Sequence, residues 1–363
     1  MRVAPNKKAK PIRILLIAPS LAILGGQAVQ AQRILAELRK HRFLRVGFLP
    51  INPQLPGRLR ALQQIRYVRT ILTTGLFVTK LLGLIWKYDI LHVFAASNTS
   101  FLLAPTPAVL LAKLFRKRTI LNYRDGRIEQ HLTEWKIAVP LIRLFDEVVV
   151  QSGYLVEVFG RFGVRARCIP NIVDTKRFSF RERPKPRPVF LHNRSLEPLY
   201  NVECTLRAFA VVQQRYPDAQ LTLAHDGPLR PRLEKLAVEL GSRNVRFIGK
   251  VPPGRVPELY AAADIYLTSP NLDNMPGSLL ECFASGLPIV ATRAGGIPYI
   301  VEDEKNGLLV ERGDHQAMAA CILRLLEEDG LALRLARAGV KECHKYRGAL
   351  VLEQWISLYR RLS

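Results

Sequence analysis

Cysteine is scarce in this 363-residue chain, and its five cysteines stand singly along the sequence. No two of them have the spacing of a zinc site or of a redox pair, which argues against a cysteine-based metal site and against a disulfide framework. This usage fits a protein of the reducing cytoplasm. The cysteines are Cys168, Cys204, Cys282, Cys321 and Cys343.

Long hydrophobic runs are also missing. The first apolar run, at 12–24, is interrupted by Arg13 and Pro19 and has no small-residue cleavage site, so we interpret it as a buried strand and not as a signal peptide. Apolar residues recur at helical spacing between 59 and 86, but the longest uncharged run there, 70–79, is shorter than the roughly 20 residues that a membrane span needs. We therefore expect no span here. Two interpretations stay open: a buried helix pair that covers a sheet, or an amphipathic surface that lies on anionic lipid.

Acidic residues are few, and most of the imbalance lies in the first half of the chain. The formal net charge is +24, from 54 Lys and Arg against 30 Asp and Glu. Residues 1–180 hold 29 basic and 9 acidic residues, a net charge of +20, whereas residues 181–363 hold 25 and 21, a net charge of +4. The first half therefore predicts an acidic partner: an anionic membrane, a phosphorylated acceptor or nucleic acid. Nucleic acid is disfavoured, because the basic residues form no recognisable DNA- or RNA-binding motif.

Short apolar strands alternate with helical stretches, which predicts two successive doubly wound α/β units with parallel sheets. Three prolines and dense charge at 181–188 predict an extended linker between a first domain at 1–180 and a second at 189–345. The predicted strands are 12–18, 46–49, 90–94, 118–121 and 147–150, then 189–192, 220–224, 245–248, 265–268 and 288–292. The predicted helices include 27–39, 201–215, 231–240, 256–262, 278–285, 316–326 and 350–362.

The most informative block lies between 269 and 298, where a strand end, a loop and a helix beginning near Gly277 or Ser278 follow one another. The unpaired amides and the positive dipole end of a helix start suit a diphosphate. Glu281, one turn into the helix, is placed to accept hydrogen bonds from ribose hydroxyls, and Asp273 from sugar hydroxyls. The alternative is structural, with Asp273 and Asn274 as turn formers and Glu281 as a charge that stabilises the helix start.

At this block the sequence resembles the family four glycosyltransferases. Their Glu-x7-Glu motif reads Asp273-x7-Glu281 here, and the likeness extends over most of the chain. It implies the B-type fold, an α/β architecture of two Rossmann-like domains that face each other across a cleft. The terminal helix at 346–363 would then pack back on the first domain, with Trp355 as a core anchor. The matching segments are Ala284-Ser-Gly286-Leu-Pro288-Ile-Val-Ala291, Asn193-Arg194-Ser195, His225-Asp226-Gly227-Pro228, Val245-Arg-Phe-Ile-Gly249, Leu259-Tyr-Ala-Ala-Ala-Asp264, an Asn306-Gly307-Leu-Leu309-Val hairpin and Ile169-Pro170-Asn171-Ile-Val173-Asp174.

The resemblance also implies a nucleotide diphosphate sugar as donor, no further cofactor, and a role for each matched residue. Arg194 would neutralise the diphosphate, Asp273 would contact the transferred sugar, and both would count as catalytic, while Glu281 would hold the ribose. Gly25 and Gly26 would approach the diphosphate from the first domain, because only glycine lets a backbone so close, although an ordinary turn stays open for both. The other residues expected at the donor are Asp226, Gly227, Lys250, Asn274, Met275, Gly277, Ser278 and Leu279.

Three positions depart from the family pattern. The usual lysine, five residues after Arg194, is Leu199 here, so its charge is missing or supplied from elsewhere. Asp273 is one methylene shorter than the common Glu. The customary histidine of the first domain is replaced by Arg124-Asp125, and Asp125 is the catalytic candidate at that place. The residues that can supply the missing charge are Arg230, Lys250 and Arg293.

The chemistry that the resemblance implies is transfer of a sugar to an acceptor hydroxyl with retained configuration. Arg194 and the helix start would replace a cation, and the sequence contains no Asp-x-Asp motif, so no metal is expected. The expected acceptor is a glycan or a lipid-linked molecule, met in the cytoplasm or at the inner face of the plasma membrane. Two alternatives stay open: a nucleotide-sugar epimerase or phosphorylase, and a non-catalytic nucleotide-sugar-binding protein, which the changes at Leu199 and Arg124-Asp125 would suit.

Overall fold

The computed structural model describes residues 10–21, 26–54, 57 and 65–363. Its internal contacts divide the chain into two units, one formed by Met1–Ile172 with Gly348–Ser363 and the other by Val173–Arg347. The division between the units falls at Ile172 and Val173, ahead of the position 180 expected from the sequence. The predicted linker at 181–188 lies inside the second unit.

The first unit is built on a six-stranded sheet in which every neighbouring pair of strands is parallel. Its order is β2-β1-β3-β4-β5-β6, which winds outward in both directions from β1. This confirms the predicted doubly wound α/β class. The predicted first strand is present, and the short last strand was not predicted. The strands are β1 (Ile12–Ala18), β2 (Leu44–Pro50), β3 (Ile90–Ala95), β4 (Arg118–Tyr123), β5 (Glu147–Val150) and β6 (Arg167–Cys168).

Seven helices precede the second unit in the described residues. The side chains of the sheet and of these helices form buried cores on both sides of the strands, as parallel sheets require. The helices are α1 (Gly26–Leu38), α2 (Arg66–Leu84), α3 (Thr99–Leu103), α4 (Pro105–Leu114), α5 (Ile128–Glu134), α6 (Ala138–Ile142) and α7 (Gly153–Arg161).

Helix α2 and the short 3₁₀ helix that follows it (Ile85–Lys87) have two different apolar faces. Phe77, Leu81 and Ile85 are fully buried in the core, whereas Ile71 and Trp86 are 72% and 60% exposed. The interpretation as a buried covering helix therefore describes one face alone. By length and composition the stretch Val68–Lys87 is also long and apolar enough to cross a membrane, so the argument from the short uncharged run does not exclude a span.

The second unit repeats the architecture with a six-stranded parallel sheet of order β12-β11-β10-β7-β8-β9. The segment after Asn306 was expected to form a hairpin. It instead forms a strand at the edge of the sheet, where Leu308–Val310 pairs in parallel with residues 290–292. The strands are β7 (Val189–His192), β8 (Gln220–Leu223), β9 (Val245–Phe247), β10 (Ile265–Thr268), β11 (Ile289–Thr292) and β12 (Leu308–Val310). The helices are α8 (Val202–Arg215), α9 (Arg230–Glu239), α10 (Val256–Ala262), α11 (Gly277–Ser285), α12 (His315–Glu327) and α13 (Leu331–Cys343).

The proline-rich segment at 181–188 is anchored to the second unit through its arginines. The side chain of Arg183 is 1% exposed and donates to the backbone carbonyls of Tyr260, Ser285 and Gly286 at 2.9–3.0 Å. Burial of Asp264 favours its neutral form, but hydrogen bonds from Arg187 and Arg181 outweigh this effect and lower the pKa of Asp264 to about 2. The dense charge that predicted a solvated linker therefore holds the segment against the fold.

The final helix, α14 (Gly348–Leu362), belongs to the first unit. Trp355 is fully buried there, and its ring stacks on His92 of β3 with 4.4 Å between ring centroids. Tyr359 Oη lies 2.8 Å from Nδ1 of the same histidine. Trp355 is thus a core residue, as its spacing in an amphipathic helix predicted.

Candidate functional site

Helix α11 begins without a side-chain cap. Its N-cap is Pro276, which has no polar side chain, and the amide of Leu279 already donates to the Pro276 carbonyl at 3.2 Å. The preceding amides, those of Gly277 and Ser278, have no acceptor within the helix, as at any helix start. A Cβ added to Gly277 would meet no atom within 4 Å, so the space beside this helix start is open. The sequence had predicted this helix start within one residue.

Arg194 and Asp273, predicted separately, form an ion pair in front of this helix. Arg194 follows strand β7 and its Nη2 donates to Asp273 Oδ2, while its guanidinium lies 4.5 Å from the centroid of the Tyr200 ring. The two side chains are 20% and 10% exposed. Arg194 Nε is buried without a hydrogen-bond partner among the described residues. The guanidinium therefore has a buried N–H whose hydrogen bond is not satisfied in the described structure.

Burial disfavours the charged form of both members of this pair, but the net effect on each pKa depends on the neighbouring groups. It opposes the charged form of Arg194, but Asp273 and the nearby tyrosines outweigh it and raise the pKa of the guanidinium. Burial also raises the pKa of the Asp273 carboxyl, and Arg194 offsets part of that rise. The pair thus presents a permanent positive charge next to a carboxyl group that is protonated more readily than an exposed aspartate.

The backbone of Asp273 is fixed by the glycine pair that follows β11. Gly296 N donates to the Asp273 carbonyl at 2.7 Å. Gly295 has a φ of +53°, and a Cβ there would lie 2.3 Å from the same carbonyl oxygen. Only glycine fits this position, because both its φ and its contact distance exclude a side chain. The glycine pair therefore holds the backbone of Asp273, while Arg194 holds its side chain.

Glu281 is oriented by a chain of hydrogen bonds that the sequence did not predict. Tyr266 Oη donates to Asn193 Oδ1 at 2.7 Å, and Asn193 Nδ2 donates to Tyr260 Oη at 2.8 Å. Tyr260 Oη in turn donates to Glu281 Oε2 at 2.9 Å. Tyr260 Oη also lies 3.4 Å from the Ser278 carbonyl, but its shorter contact with Glu281 orients the carboxylate. Two motifs had flagged the region, the loop with Asn193 and the Tyr-x-x-Ala-Asp helix end, but not their contact.

The predicted loop at Asp226 and Gly227 packs against the loop after Arg194. A Cβ on Gly227 would lie 2.4 Å from the carbonyl oxygen of Leu196, and Leu196 N donates to the Asp226 carbonyl at 3.2 Å. Gly227 is required here for backbone packing whether or not a ligand binds. Its predicted contact with the donor stays a prediction.

The three side chains proposed to replace the missing lysine differ in their surroundings. Arg230 donates to Glu234 at 2.8 Å, and Arg293 donates to Asp303 at 2.5 Å, so both already face carboxylates. Lys250 is exposed and forms no ion pair within the described part of the chain. Among the three, Lys250 is the most available to an anion. Leu199 lies in the short turn after Arg194, where its carbonyl accepts from Asn271 N at 2.8 Å.

In the first unit, Asp125 follows strand β4 and is held by neighbours. It accepts from Arg127 N at 3.0 Å and from Ser97 N at 3.2 Å. Burial disfavours its ionisation, but the hydrogen bonds from Arg127 outweigh it and lower the pKa. These contacts describe a loop-stabilising carboxylate, and a catalytic role remains a prediction. Gly26 is the first residue of α1, and Gly25 lies outside the described residues.

A cluster of hydrogen-bonded polar residues near Asp125 was not predicted from the sequence. His131 Nδ1 accepts from Asn98 N at 3.1 Å, and Tyr123 Oη lies 2.8 Å from Ser97 Oγ. Ser97 and Asn98 follow β3 just as Asp125 follows β4, and the carboxyl ends of adjacent parallel strands meet at one edge of a sheet. The positions of Ser97, Asn98 and Asp125 just after adjacent parallel strands could therefore have predicted that these residues lie close together. His131 itself comes from α5 and carried no motif.

Residues 174–342 match the family model described as glycosyl transferases group 1. The chain is 37% identical over 176 residues to the D-inositol 3-phosphate glycosyltransferase of Corynebacterium urealyticum, covering 46% of this chain and 41% of that protein. It is 30% identical over 268 residues to the GDP-mannose-dependent alpha-(1-6)-phosphatidylinositol monomannoside mannosyltransferase of Mycolicibacterium smegmatis, covering 65% of this chain and 69% of that protein. The matches thus span less than half the length of the inositol-phosphate enzyme and about two thirds of the mannosyltransferase.

Solved structures share the fold of the whole chain. Anabaena HepE, crystallised in complex with UDP-glucose, superimposes with a TM-score of 0.76 over 96% of this chain and 100% of that one, at 19% identity. Sucrose-phosphate synthase from Thermosynechococcus elongatus gives a TM-score of 0.72 over 97% of this chain and 99% of that one, at 17% identity. At such low identity these structures support the two-domain α/β fold alone.

Proposed function

Because the chain belongs to the group 1 family of glycosyl transferases, we propose that it transfers a sugar from a nucleotide diphosphate donor to a hydroxyl group of a glycan or lipid-linked acceptor. One observation in this chain supports the proposal above the others. The buried Arg194–Asp273 pair lies in front of an uncapped helix start, so fixed positive charge and free amides are next to a carboxyl group.

The diphosphate of the donor binds between Arg194 and the start of α11 in this proposal. The guanidinium of Arg194, whose side chain is 20% exposed, and the amides of Gly277 and Ser278 are the donors it would find. As the sugar–phosphate bond breaks, negative charge grows on the diphosphate, and preformed positive groups stabilise it without rearranging. The same groups make a metal ion unnecessary for this step, so we propose a metal-independent reaction with no cofactor besides the donor.

Asp273 and Glu281 divide the recognition of hydroxyl groups between them. Asp273 would accept hydrogen bonds from the transferred sugar, with its shorter side chain compensated by a loop fixed through Gly295 and Gly296. Glu281 would accept from the ribose, in the orientation set by Tyr260. We place the enzyme in family four and propose that it retains the anomeric configuration, with a diphosphate oxygen acting as base toward the acceptor.

An anionic membrane surface is the proposed partner of the basic first half. Three exposed apolar residues lie on α2 and α4 and the turns that follow them: Trp86 and Leu114, 60% and 74% exposed, and Phe115. Lys117 Nζ donates to the Trp86 carbonyl at 3.5 Å and Lys87 Nζ lies 5.1 Å from the centroid of the Trp86 ring, so two basic side chains lie beside Trp86. Apolar anchors rimmed by positive charge bind anionic lipid. We therefore propose that the enzyme works in the cytoplasm, peripherally on the inner membrane face. The neighbouring basic residues are Lys87, Lys113, Arg116, Lys117 and Arg118.

Co-sedimentation with vesicles tests this membrane proposal. A Trp86→Ser and Leu114→Ser double variant should sediment less than the wild type with phosphatidylglycerol vesicles, and neither should sediment with phosphatidylcholine alone. The matched control is Val238→Ser, which removes a 79% exposed apolar side chain from the second unit. Equal sedimentation with both lipids would contradict the proposal.

Donor screening and product analysis test the catalytic proposal. The protein is heated with a panel of uridine, guanosine and adenosine diphosphate sugars, and the donor that raises its melting temperature is then offered to acceptors with and without a chelator. We expect transfer that needs an acceptor and persists without divalent metal. Loss of Arg194, as Arg194→Ala, should lower kcat/KM by about 10²–10³. Product formed without acceptor, or only with inorganic phosphate, would indicate an epimerase or a phosphorylase instead.

A further inference from the structure

A cavity of about 550 Å³ lies in the first unit at the amino ends of β5 and β6. All strands of this sheet are parallel, so the amino ends lie at the edge opposite to the carboxyl ends where Asp125 and Ser97 meet. None of the residues that line the cavity is one of those predicted to contact the donor. Its polar lining residues include Arg143, Asp146, Glu147, Arg165, Arg167 and Arg361.

Four exposed arginines from different parts of the fold line this cavity. Arg143 follows α6, Arg165 and Arg167 come from the turn before β6 and from β6 itself, and Arg361 comes from the final helix. Helices α6 and α14 are more than 200 residues apart in sequence, so the fold brings these charges together. A cluster of like charges at one place is unfavourable unless counter-charges or a ligand offset it.

The two carboxylates of the lining offset only part of this charge. Asp146 accepts from Thr119 N and Oγ1, both at 2.8 Å, and pairs with Lys113 at 3.2 Å and Arg118 at 3.4 Å. Its charge is thus engaged by cations outside the lining. Glu147 is shared between two of the four arginines: it pairs with Arg361 and lies 3.8 Å from Arg167 Nε.

The arginines still have N–H groups available. Arg165 forms no ion pair with any residue that the structure describes. Arg143 uses Nη2 to donate to the carbonyls of Phe162 and Gly163, both at 3.3 Å, and this bond holds its side chain at the cavity wall. Arginine N–H groups in such a fork match the oxygens of a phosphate, which accepts two parallel hydrogen bonds.

We propose that this cavity binds a phosphate group. The shared chemistry admits two sources, a lipid headgroup and a soluble phosphate ester. Lys113, which pairs with the cavity residue Asp146, immediately precedes Leu114, one of the exposed apolar residues proposed above to contact lipid. The phosphate site itself does not rest on the catalytic proposal.

Calorimetric titration with inorganic phosphate tests the site in the full chain. The variant is the double substitution Arg165→Gln and Arg167→Gln, and the matched control is Arg39→Gln with Arg42→Gln, which removes the same charge from exposed positions of the first unit outside the cavity. Arg194→Ala is titrated in parallel, so that phosphate bound in the proposed donor site is distinguished. Vesicles of phosphatidylglycerol, with phosphatidylcholine as reference, form a second arm.

We expect the double cavity variant to bind inorganic phosphate at least about tenfold more weakly, as the loss of charged hydrogen bonds implies. The control and Arg194→Ala should stay within about twofold of the wild type. Weaker vesicle binding by the cavity variant would identify a lipid headgroup as the source, and unchanged vesicle binding a soluble ester. Phosphate affinity that is undetectable in the wild type, unchanged in the cavity variant, or abolished by Arg194→Ala would overturn the site.

Discussion

Arg194 and Asp273, 79 residues apart in the sequence, form an ion pair that is mostly shielded from water. The pair sets up a competition. In the proposed function, a donor diphosphate that binds Arg194 competes with Asp273 for the charge of the guanidinium. We propose that this competition frees the Asp273 carboxylate to contact the sugar when the guanidinium binds the diphosphate. One pair of residues can thus couple diphosphate binding to sugar recognition.

Asp273→Asn should separate the two halves of this coupling. The amide keeps the size of the side chain but no longer competes as an anion for Arg194. We expect nucleoside diphosphate to bind about three- to tenfold more tightly, and kcat to fall by at least about tenfold because sugar recognition is lost. Calorimetry with the nucleoside diphosphate and steady-state kinetics measure the two effects. Weaker diphosphate binding in this variant would contradict the competition.

Tyr260→Phe should weaken donor binding without much change in chemistry. The substitution removes the hydroxyl that orients Glu281 and leaves Asn193 without its acceptor. Loss of one such hydrogen bond predicts a rise in donor KM of about five- to twentyfold with kcat within about threefold. Tyr216→Phe is the control, because its hydroxyl bonds Glu327 at an exposed place. A fall in kcat with an unchanged KM would indicate another role for Tyr260.

Leu199→Lys should restore a charge that the family pattern places five residues after Arg194. Leu199 is part of the turn that leads to Tyr200, over which Arg194 packs. A lysine here adds a second cation for the diphosphate, and we expect donor KM to fall about three- to tenfold. Leu199→Met tests for effects of side-chain shape alone. If the lysine leaves donor KM unchanged, a side chain such as Lys250 already supplies the charge.

Local patterns predicted the elements, and long-range contacts decided the details of the site. The strands before Arg194 and before the α11 loop were predicted because apolar runs between turn residues are visible over a few positions. The contact of Asn193 with Tyr260 joins residues 67 apart and depends on how two loops pack. Nothing in the local pattern of either segment encodes such a contact. The ion pair of Arg194 escaped prediction for the same reason.

The segment at 181–188 shows how composition alone can mislead. Proline and charge are typical of solvated linkers, but three arginines of this segment converge on the single carboxylate of Asp264. The cost of burying the Arg183 guanidinium is offset because backbone carbonyls near the ends of two helices accept hydrogen bonds from its N–H groups. That satisfaction depends on tertiary structure. The motif at Asp264 was visible in the sequence, but its partners were not.

Arg183→Met should destabilise the second unit far more than Arg187→Met. The first substitution leaves the buried carbonyls of Tyr260 and Gly286 without a donor and removes one of the two donors to the Ser285 carbonyl, and we expect a loss of about 3–5 kcal/mol. Arg187 is 61% exposed, and its removal should cost about 1 kcal/mol or less. Urea unfolding of both variants compares them. Equal midpoints would show that the buried arginine contributes no more than a surface ion pair.

Stability should fall as the solution is acidified below about pH 6.5, the ordinary pKa of histidine. Burial, with a smaller effect of Arg194, lowers the pKa of His192 to about 3, and burial with Arg124 does the same for His92. Both rings stay neutral in the folded chain while the unfolded chain takes up protons, so unfolding becomes more favourable as pH decreases from 6.5 toward 3. Their contribution is fully present above pH 6.5.

His192→Leu should reduce this pH dependence. Each buried histidine contributes about 1.4 kcal/mol per pH unit in that window, so removing one should halve the part of the slope that the two rings cause. His192 Nε2 has no hydrogen-bond partner in the described structure, and its Nδ1 lies 3.5 Å from Thr205 Oγ1, so an apolar replacement sacrifices little. Thermal unfolding at pH 7.5, 6.5, 5.5 and 4.5 measures the effect. A variant whose melting temperature falls as steeply as that of the wild type would show that carboxylates, and not this histidine, govern the acid response.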